Sequence, residues 1–363
     1  MITIAFTGGG TGGHIYPGLA VIERLRRKIN CNVVWLGSNV GMDRSIVEGA
    51  GIEFIGIPSG KLRRYFTFRN ALDVFKVFFG YIVSRSVLSR IKPALLFSKG
   101  GFVSVPPCAA AHGLKIPVFT HESDYSPGLA TRLNSRWADT ILVAYPQSIS
   151  ALPEAVRPRA LSIGNPVRSA FKDADPDRGR RFLEVGSDDR ILLVLGGSQG
   201  AKQVNDLVAA NLAQLSEKYV VVHQTGPDQA SAGPVSARYK PYQYIRDELP
   251  DVLAAAELVV GRSGAGTVWE SAAAGKPMVL VPLCGSGTRG DQVENADYFQ
   301  SIGAAISLVG SAATAEAFLS AIMRIADDAS LRLSMAAASE QAYGSDAAEA
   351  AASLIVERLG GSK

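Results

Sequence analysis

Residues 2–14 read Ile2-Thr3-Ile4-Ala5-Phe6-Thr7-Gly8-Gly9-Gly10-Thr11-Gly12-Gly13-His14, and residues 191–201 repeat the plan as Ile191-Leu192-Leu193-Val194-Leu195-Gly196-Gly197-Ser198-Gln199-Gly200-Ala201. Each is a short apolar run that ends in glycines. A run without polar alternation marks a strand covered on both faces, as in a parallel sheet. Glycines directly after it permit a sharp turn and let a ligand approach backbone N–H groups, and Pro17 suits the first turn of a following helix. Strand, glycine turn and helix in that order open a doubly wound α/β domain, and here the unit occurs twice.

Outward from these stretches, apolar runs at 32–36, 52–57, 94–98, 116–120 and 140–144 extend the first half, and runs at 219–223, 258–261, 278–282 and 304–308 extend the second. The spacers between them are long enough for crossover helices. Gly164-Asn165-Pro166 and the polar stretch 172–181 read as a linker. The sequence thus predicts an α/β protein of two Rossmann-like domains facing across a cleft. The domains are 1–163 and 164–344, with a last helix in 345–363 packing back on the first.

The 363 residues are 47% hydrophobic and 19% charged, which excludes a disordered chain. The formal net charge of +4 is unevenly spread: residues 1–165 carry +10 and the remainder −6. Within 61–92, Lys61, Arg63, Arg64, Arg69, Lys76, Arg85, Arg90 and Lys92 face the single acid Asp73. Such a patch attracts an anionic surface. No RNA-binding motif accompanies it, so acidic lipid is expected and nucleic acid is not. Apolar Phe75, Phe78, Phe79 and Tyr81 beside these cations suit peripheral docking, although part of that stripe reads equally as the buried face of a helix. Cys31, Cys108 and Cys284 are too few and too scattered for a disulfide framework or zinc site, which suits a reducing compartment. The opening residues lack a signal-peptide pattern, and the most apolar helix candidate, 71–89, is interrupted by Lys76 and Arg85, short of the ~20 residues that span a bilayer. A cytosolic protein is expected.

Gly8, Gly10 and Gly13 satisfy the G-x-G-x-x-G spacing, but a dinucleotide site wants an acid at the end of the second strand, where Gly37 and Ser38 stand. This argues against a nicotinamide cofactor. A third loop, Arg262-Ser263-Gly264-Ala265-Gly266-Thr267, opens a helix carrying Glu270. Three such loops at the carboxyl ends of parallel strands suit a ligand crevice, and a helix N-terminus suits a diphosphate. Glu270 reads either as a ribose contact or as a first-turn glutamate favoured by the helix dipole. Asp173-Ala174-Asp175 has the spacing of a metal-binding pair but lies in the polar linker and reads as a solvated loop. No metal and no cofactor are expected.

Six ordered blocks carry a resemblance: 9–14 (GGTGGH), 99–103 (KGGFV), His121-Glu122, 164–168 (GNPVR), 197–201 (GSQGA) and 262–265 (RSGA). Together the chain resembles the MurG family of bacterial N-acetylglucosaminyltransferases, which convert lipid I to lipid II in peptidoglycan synthesis. The resemblance implies the two-domain GT-B fold and inverting transfer of GlcNAc from UDP-GlcNAc to the 4-hydroxyl of MurNAc in lipid I. It also implies a peripheral enzyme at the inner leaflet, on the cytoplasmic face of the cell membrane. It places the diphosphate at Ser198 and at Gly264, Ala265, Gly266 and Thr267, the ribose at Glu270 and the uracil at the backbone of Ile245. Arg168 becomes a further nucleotide-sugar contact, Asp291 and Gln292 read the sugar hydroxyls, and Thr11, Gly12, Gly13 and His14 face the acceptor and the moving sugar. Two departures stand out. Ser123-Asp124 follows His121-Glu122 where Gln-Asn is commoner, which leaves Asp124 as the counterpart of a donor contact, and Asp291-Gln292 replaces Gln-Gln.

Inverting displacement needs a base for the acceptor hydroxyl and a stabiliser for departing UDP. His14, at a helix N-terminus that favours the neutral ring, is the expected base, with Glu122 as its orienting partner or rival. His112 and His223 lack such a context and read as structural. Three alternatives remain: another GT-B lipid glycosyltransferase, a UDP-GlcNAc 2-epimerase, or a catalytically silent nucleotide-sugar-binding scaffold. The presence of His14, Glu122, Glu270 and Gln292 together weighs against the last.

Overall fold

The computed structural model describes residues 1–60, 68–197, 200–227, 231–285 and 288–360, with side chains in the helix Phe68–Ile91 from residue 75 onward. Ser198 and the basic residues Lys61, Arg63 and Arg64 lie outside the described residues, as does the side chain of Arg69. The chain divides into two units, Met1–Arg168 with Ser345–Lys363, and Ser169–Gly344.

The first unit holds seven parallel strands: β1 (Ile2–Thr7), β2 (Cys31–Ser38), β3 (Glu53–Ile57), β4 (Leu95–Ser98), β5 (Val118–Glu122), β6 (Thr140–Val143) and β7 (Ala160–Ser162), in the order β3-β2-β1-β4-β5-β6-β7. Side chains alternate between two apolar faces. Ile4, Phe6, Trp35 and Phe97 pack with Val21 and Leu25 of the helix Tyr16–Lys28 and with Ala351 and Ile355 of the helix Ala347–Arg358. Ala5, Val34 and Leu96 pack on the other face with Leu88, Cys108 and Ala111. Both faces are covered, which is why the strands lack a polar alternation. The helix Ala347–Arg358 is also tied by charge: Arg24 donates to Asp346, the residue capping that helix, at 2.8 and 3.0 Å.

The second unit holds six: β8 (Ile191–Leu195), β9 (Val220–Gln224), β10 (Tyr239–Tyr242), β11 (Leu258–Gly261), β12 (Met278–Leu280) and β13 (Ala305–Ser307), in the order β10-β9-β8-β11-β12-β13. All pairs are parallel. Two edge strands, β7 and β10, escape the sequence reading. Each is only three or four residues long, and β10 carries Lys240 and Pro241, which only an edge position tolerates.

In each sheet the strand order reverses beside the first strand, between β1 and β4 and between β8 and β11. The carboxyl ends at such a reversal splay apart and leave a crevice. Both glycine stretches that open the two halves lie at these points.

Candidate active site

At the reversal of the first sheet, the loop after β1 turns through Gly8, Gly9 and Gly10 into a 3-10 turn, Gly12–His14. The loop is fastened by a residue the sequence reading passed over. Asp43, fully buried, accepts from Gly10 N at 2.9 and 3.1 Å and from Ser38 N at 3.0 Å. A Cβ at Gly9 would lie 1.8 Å from Asp43 Oδ2, so this glycine is required by the carboxylate's approach. The acid absent from the end of β2 thus arrives at the head of the next helix and binds the protein's own loop.

His14 is half-buried, and its Nδ1 lies 3.3 Å from the Lys99 carbonyl. A carbonyl only accepts, so Nδ1 carries the hydrogen and Nε2 is left as the nitrogen that can exchange a proton. The loop after β4 presses on the same ring. Gly100 and Gly101 have φ of +80° and +76°, and a Cβ at Gly101 would meet Gly9 O at 2.8 Å and His14 Cδ2 at 3.0 Å. Thr11 and Gly13 are exposed beside it and Gly12 is half-buried. Arg168 stacks over Tyr16 at the start of the first helix, 4.7 Å from guanidinium carbon to ring centre.

Glu122, at the end of β5, engages both carboxylate oxygens within its own unit. Oε1 accepts from Ser123 N and Asp124 N at 2.9 and 3.1 Å, and Oε2 accepts from Gly128 N and Thr131 Oγ1 at 2.9 and 2.6 Å. Four bonds brace the loop that follows the strand and occupy both oxygens. Half-buried Asp124 is carried on the braced loop.

At the reversal of the second sheet lies a cavity of about 410 Å3, lined by Gly196, Gly197, Gly200, Ala201, Lys202, Arg262, Gly264, Thr267, Leu283 and Gln292. Two helices start at this cavity, Lys202–Lys218 and Ala265–Ala273, and neither N-cap, Ala201 or Gly264, makes a side-chain cap bond. Their first-turn N–H groups and dipoles favour an anion. Added Cβ atoms at Gly264 and Gly266 would meet nothing within 4 Å, so the loop face is open. Arg262 is fixed in the wall by Nη1 bonds to Gln203 Oε1 at 2.9 Å and Val281 O at 2.8 Å, and burial draws its pKa below the ordinary arginine range. Gln292 accepts from Leu283 N through Oε1 at 2.9 Å, which turns its NH2 end into the donor side. Its backbone carbonyl accepts from Ser263 Oγ at 2.6 Å.

Of the other expected contacts, Ala265 and Gly266 form the first turn of their helix with Thr267, and Glu270 stands half-buried one turn on. Asp291 heads the helix Asp291–Ser301 and accepts from Arg289 at 3.2 Å. Ile245 is 1% exposed, and its N–H already donates to Gln224 Oε1 at 3.0 Å, which narrows the expected backbone role to its carbonyl. Lys202 and Arg262 complete the cavity's positive lining. Their signal in the sequence is a cation directly after one glycine loop and directly before another.

The carboxylate pair 173–175 is accounted for by the fold. Asp175 caps the helix Pro176–Leu183 by accepting from Asp177 N, while its own N–H donates to Asp251 at 2.7 Å. Among the described residues no group of three or more His, Cys, Asp and Glu side chains is placed to hold a metal ion. His223 is fully buried between Tyr239 Oη and Asn205 Oδ1, each at 3.0 Å.

Comparison with known proteins follows the same division. The glycosyltransferase family 28 N-terminal domain matches residues 4–143, and the family 28 C-terminal domain matches residues 191–354. The UDP-N-acetylglucosamine--N-acetylmuramyl-(pentapeptide) pyrophosphoryl-undecaprenol N-acetylglucosamine transferase of Treponema denticola is 51% identical over 339 residues, covering 88% of this chain and 87% of its own. The protein of that name from Treponema pallidum (strain Nichols) is 50% identical over 314 residues, covering 84% and 82%. Among solved structures, MurG of Acinetobacter baumannii aligns with a TM-score of 0.75 at 26% identity, over 98% of this chain and 100% of that one. The UDP-GlcNAc 2-epimerase of Neisseria meningitidis aligns with a TM-score of 0.68 at 14% identity over 99% of each chain, a likeness of fold alone. The loops, the two parallel sheets and these relatives agree: the chain has the two-domain GT-B fold and belongs to glycosyltransferase family 28, among the MurG N-acetylglucosamine transferases.

Proposed function

We propose that the protein is an inverting hexosyltransferase that moves GlcNAc from UDP-GlcNAc to the 4-hydroxyl of MurNAc in lipid I, giving lipid II. The family and its names support the substrates, and one observation carries the chemistry: an anion cavity between two uncapped helix N-termini in one unit, and a tautomer-fixed histidine at the matching position of the other. His14 Nε2 takes the proton of the acceptor hydroxyl. The hydroxyl oxygen attacks the anomeric carbon from the face opposite UDP, the new glycosidic bond forms, and the bond to the diphosphate oxygen breaks. Charge growing on UDP is met by the first-turn amides of residues 265–267, by Lys202 and by Arg262. Glu270 takes the ribose diol, Ile245 the uracil through its carbonyl, and Asp291 and the Gln292 NH2 group the sugar hydroxyls. Thr11, Gly12 and Gly13 line the acceptor side, and Arg168 adds a donor contact.

The protein acts as a peripheral enzyme at the inner leaflet, on the cytoplasmic face of the membrane. Supporting this, Phe75, Phe78, Phe79 and Ile82 recur at helical spacing on Phe68–Ile91 and are all exposed, in a segment of basic sequence. Among the described residues no helix is long and apolar enough to cross a membrane. The test is transfer from labelled UDP-sugars to a lipid I analogue, with and without EDTA. GlcNAc transfer that survives chelation is expected, since helix N-termini and cationic side chains meet the diphosphate charge. Transfer to diacylglycerol, epimerisation of the donor, or loss of turnover restored by Mg2+ would each overturn the reading. His14→Gln should lower kcat by about 100–10,000-fold, the range for a general base, and leave UDP binding intact.

A further inference from the structure

A buried lysine stands directly behind the carbonyl that holds His14. Lys99 is 1% exposed, and its backbone is fixed on both sides, with its N–H donating to Thr7 O at 2.8 Å and its carbonyl accepting from His14. Its side chain reaches the end of β5, where Nζ lies 3.0 Å from His121 Nδ1 and 2.5 Å from Ser123 Oγ. The polarity of these bonds follows from the groups beyond them. His121 Nε2 is 2.9 Å from Gly164 O, a pure acceptor, so Nε2 carries hydrogen. Burial and the neighbouring Lys99 hold this ring's pKa well below the usual histidine value, which leaves it neutral with Nδ1 as an acceptor. Ser123 Oγ donates to Asn165 Oδ1 at 2.6 Å and therefore accepts from Lys99. Both contacts demand N–H donors from Nζ, and the ammonium and the neutral amine supply them alike.

A buried amine is costly to desolvate, and here burial lowers its pKa to about 8 against the pull of Glu122 and Asp124. A methionine of similar shape would avoid that cost but leave two buried acceptors without donors. The amine joins the turn after β4 to β5 and, through His121 and Ser123, to Gly164 and Asn165.

We propose that Lys99 is a positioning residue for the transfer reaction: by bonding His121 and Ser123 it fixes the Lys99–Gly101 turn, whose carbonyl sets the tautomer of His14 and whose glycines seat its ring. The proposal deepens the assignment of His14 as the base and rests on it. An imidazole without a fixed partner exchanges between tautomers, and the Nε2–H form has no lone pair for the acceptor proton.

The test is Lys99→Met in the full chain, read by steady-state transfer from UDP-GlcNAc to a lipid I analogue and by 15N NMR of the histidine rings, with His14 assigned by comparison with His14→Gln. Loss of alignment should lower kcat by about 10–100-fold. KM for UDP-GlcNAc should stay within about twofold, because donor binding is untouched. The His14 signal should move from pure Nδ1–H toward a tautomer mixture. Should Lys99→Met not fold, Ser123→Ala removes one acceptor, and about 3–10-fold loss of kcat with the same NMR shift is expected. A folded variant that keeps kcat and the Nδ1–H tautomer overturns the proposal. So does a fall in kcat with the tautomer unchanged, which would mark lost support for the fold. Failure of the base assignment is visible separately, because His14→Gln would then retain turnover.

Discussion

Replacing Asp43 by Ala should damage the first unit more than replacing it by Asn, and the difference can be worked from three bonds. Asp43 Oδ2 accepts from both Ser38 N and Gly10 N, while Oδ1 accepts from Gly10 N alone. Alanine strands both donors. The Ser38 amide is buried and its orphaning costs about 1–3 kcal/mol, whereas the partly exposed Gly10 amide regains water and costs less, for a total of about 3 kcal/mol. Asparagine with its oxygen at the Oδ2 position keeps the Ser38 bond, but its NH2 then stands at the Oδ1 position against the Gly10 N–H, so it loses the charge assistance and the shorter Gly10 bond, about 2 kcal/mol. For a unit of this size 1 kcal/mol shifts Tm by about 2–4 °C, so Asp43→Ala should melt about 6–12 °C lower and Asp43→Asn about 4–8 °C lower. Calorimetry of the two variants checks this, with transfer assays alongside, since the freed loop carries Thr11 to His14. Equal damage from Asn and Ala, or no damage from Ala, would refute the argument that the carboxylate is there to accept from the loop.

Two further outcomes are expected. His223, buried, has a pKa lowered to about 4, so between that value and the usual 6.5 the unfolded chain binds a proton that the folded chain does not, and stability falls as pH drops through this window. His223→Gln should flatten the acid side of the stability profile by up to about 3 kcal/mol, read from urea midpoints between pH 6.5 and 4; an unchanged slope would exclude His223 as its source. Phe78→Ser with Phe79→Ser should weaken binding to anionic vesicles by about 10–100-fold while UDP binding holds, and equal vesicle binding would mean that the exposed rings do not enter the lipid.

The fold was legible because its strands are covered on both faces. Ile4 and Phe6 serve one face and Ala5 the other, and that arrangement writes an unbroken apolar run whatever the order of the sheet. The glycine loops were legible for the same local reason. The residues that hold them were not. Asp43 meets Gly10 across 33 positions and Lys99 meets His121 across 22, and neither contact leaves a periodic trace. Glu122 was found because its position at a strand end is visible in the sequence, while the four bonds that engage its two oxygens are not. Ile245 shows the reverse: the segment was marked by resemblance, yet Gln224 had already taken its N–H.

The helix Ala347–Arg358 belongs to the unit that begins at Met1, so the first unit is discontinuous in the chain and the second is an insertion within it. On the ribosome the order of completion is therefore inverted. The sheet that carries His14 emerges first, but Val21 and Leu25 stay without their covering Ala351 and Ile355 until the whole second unit has been synthesised. The domain started first is the last to close, and until then its apolar flank stays uncovered.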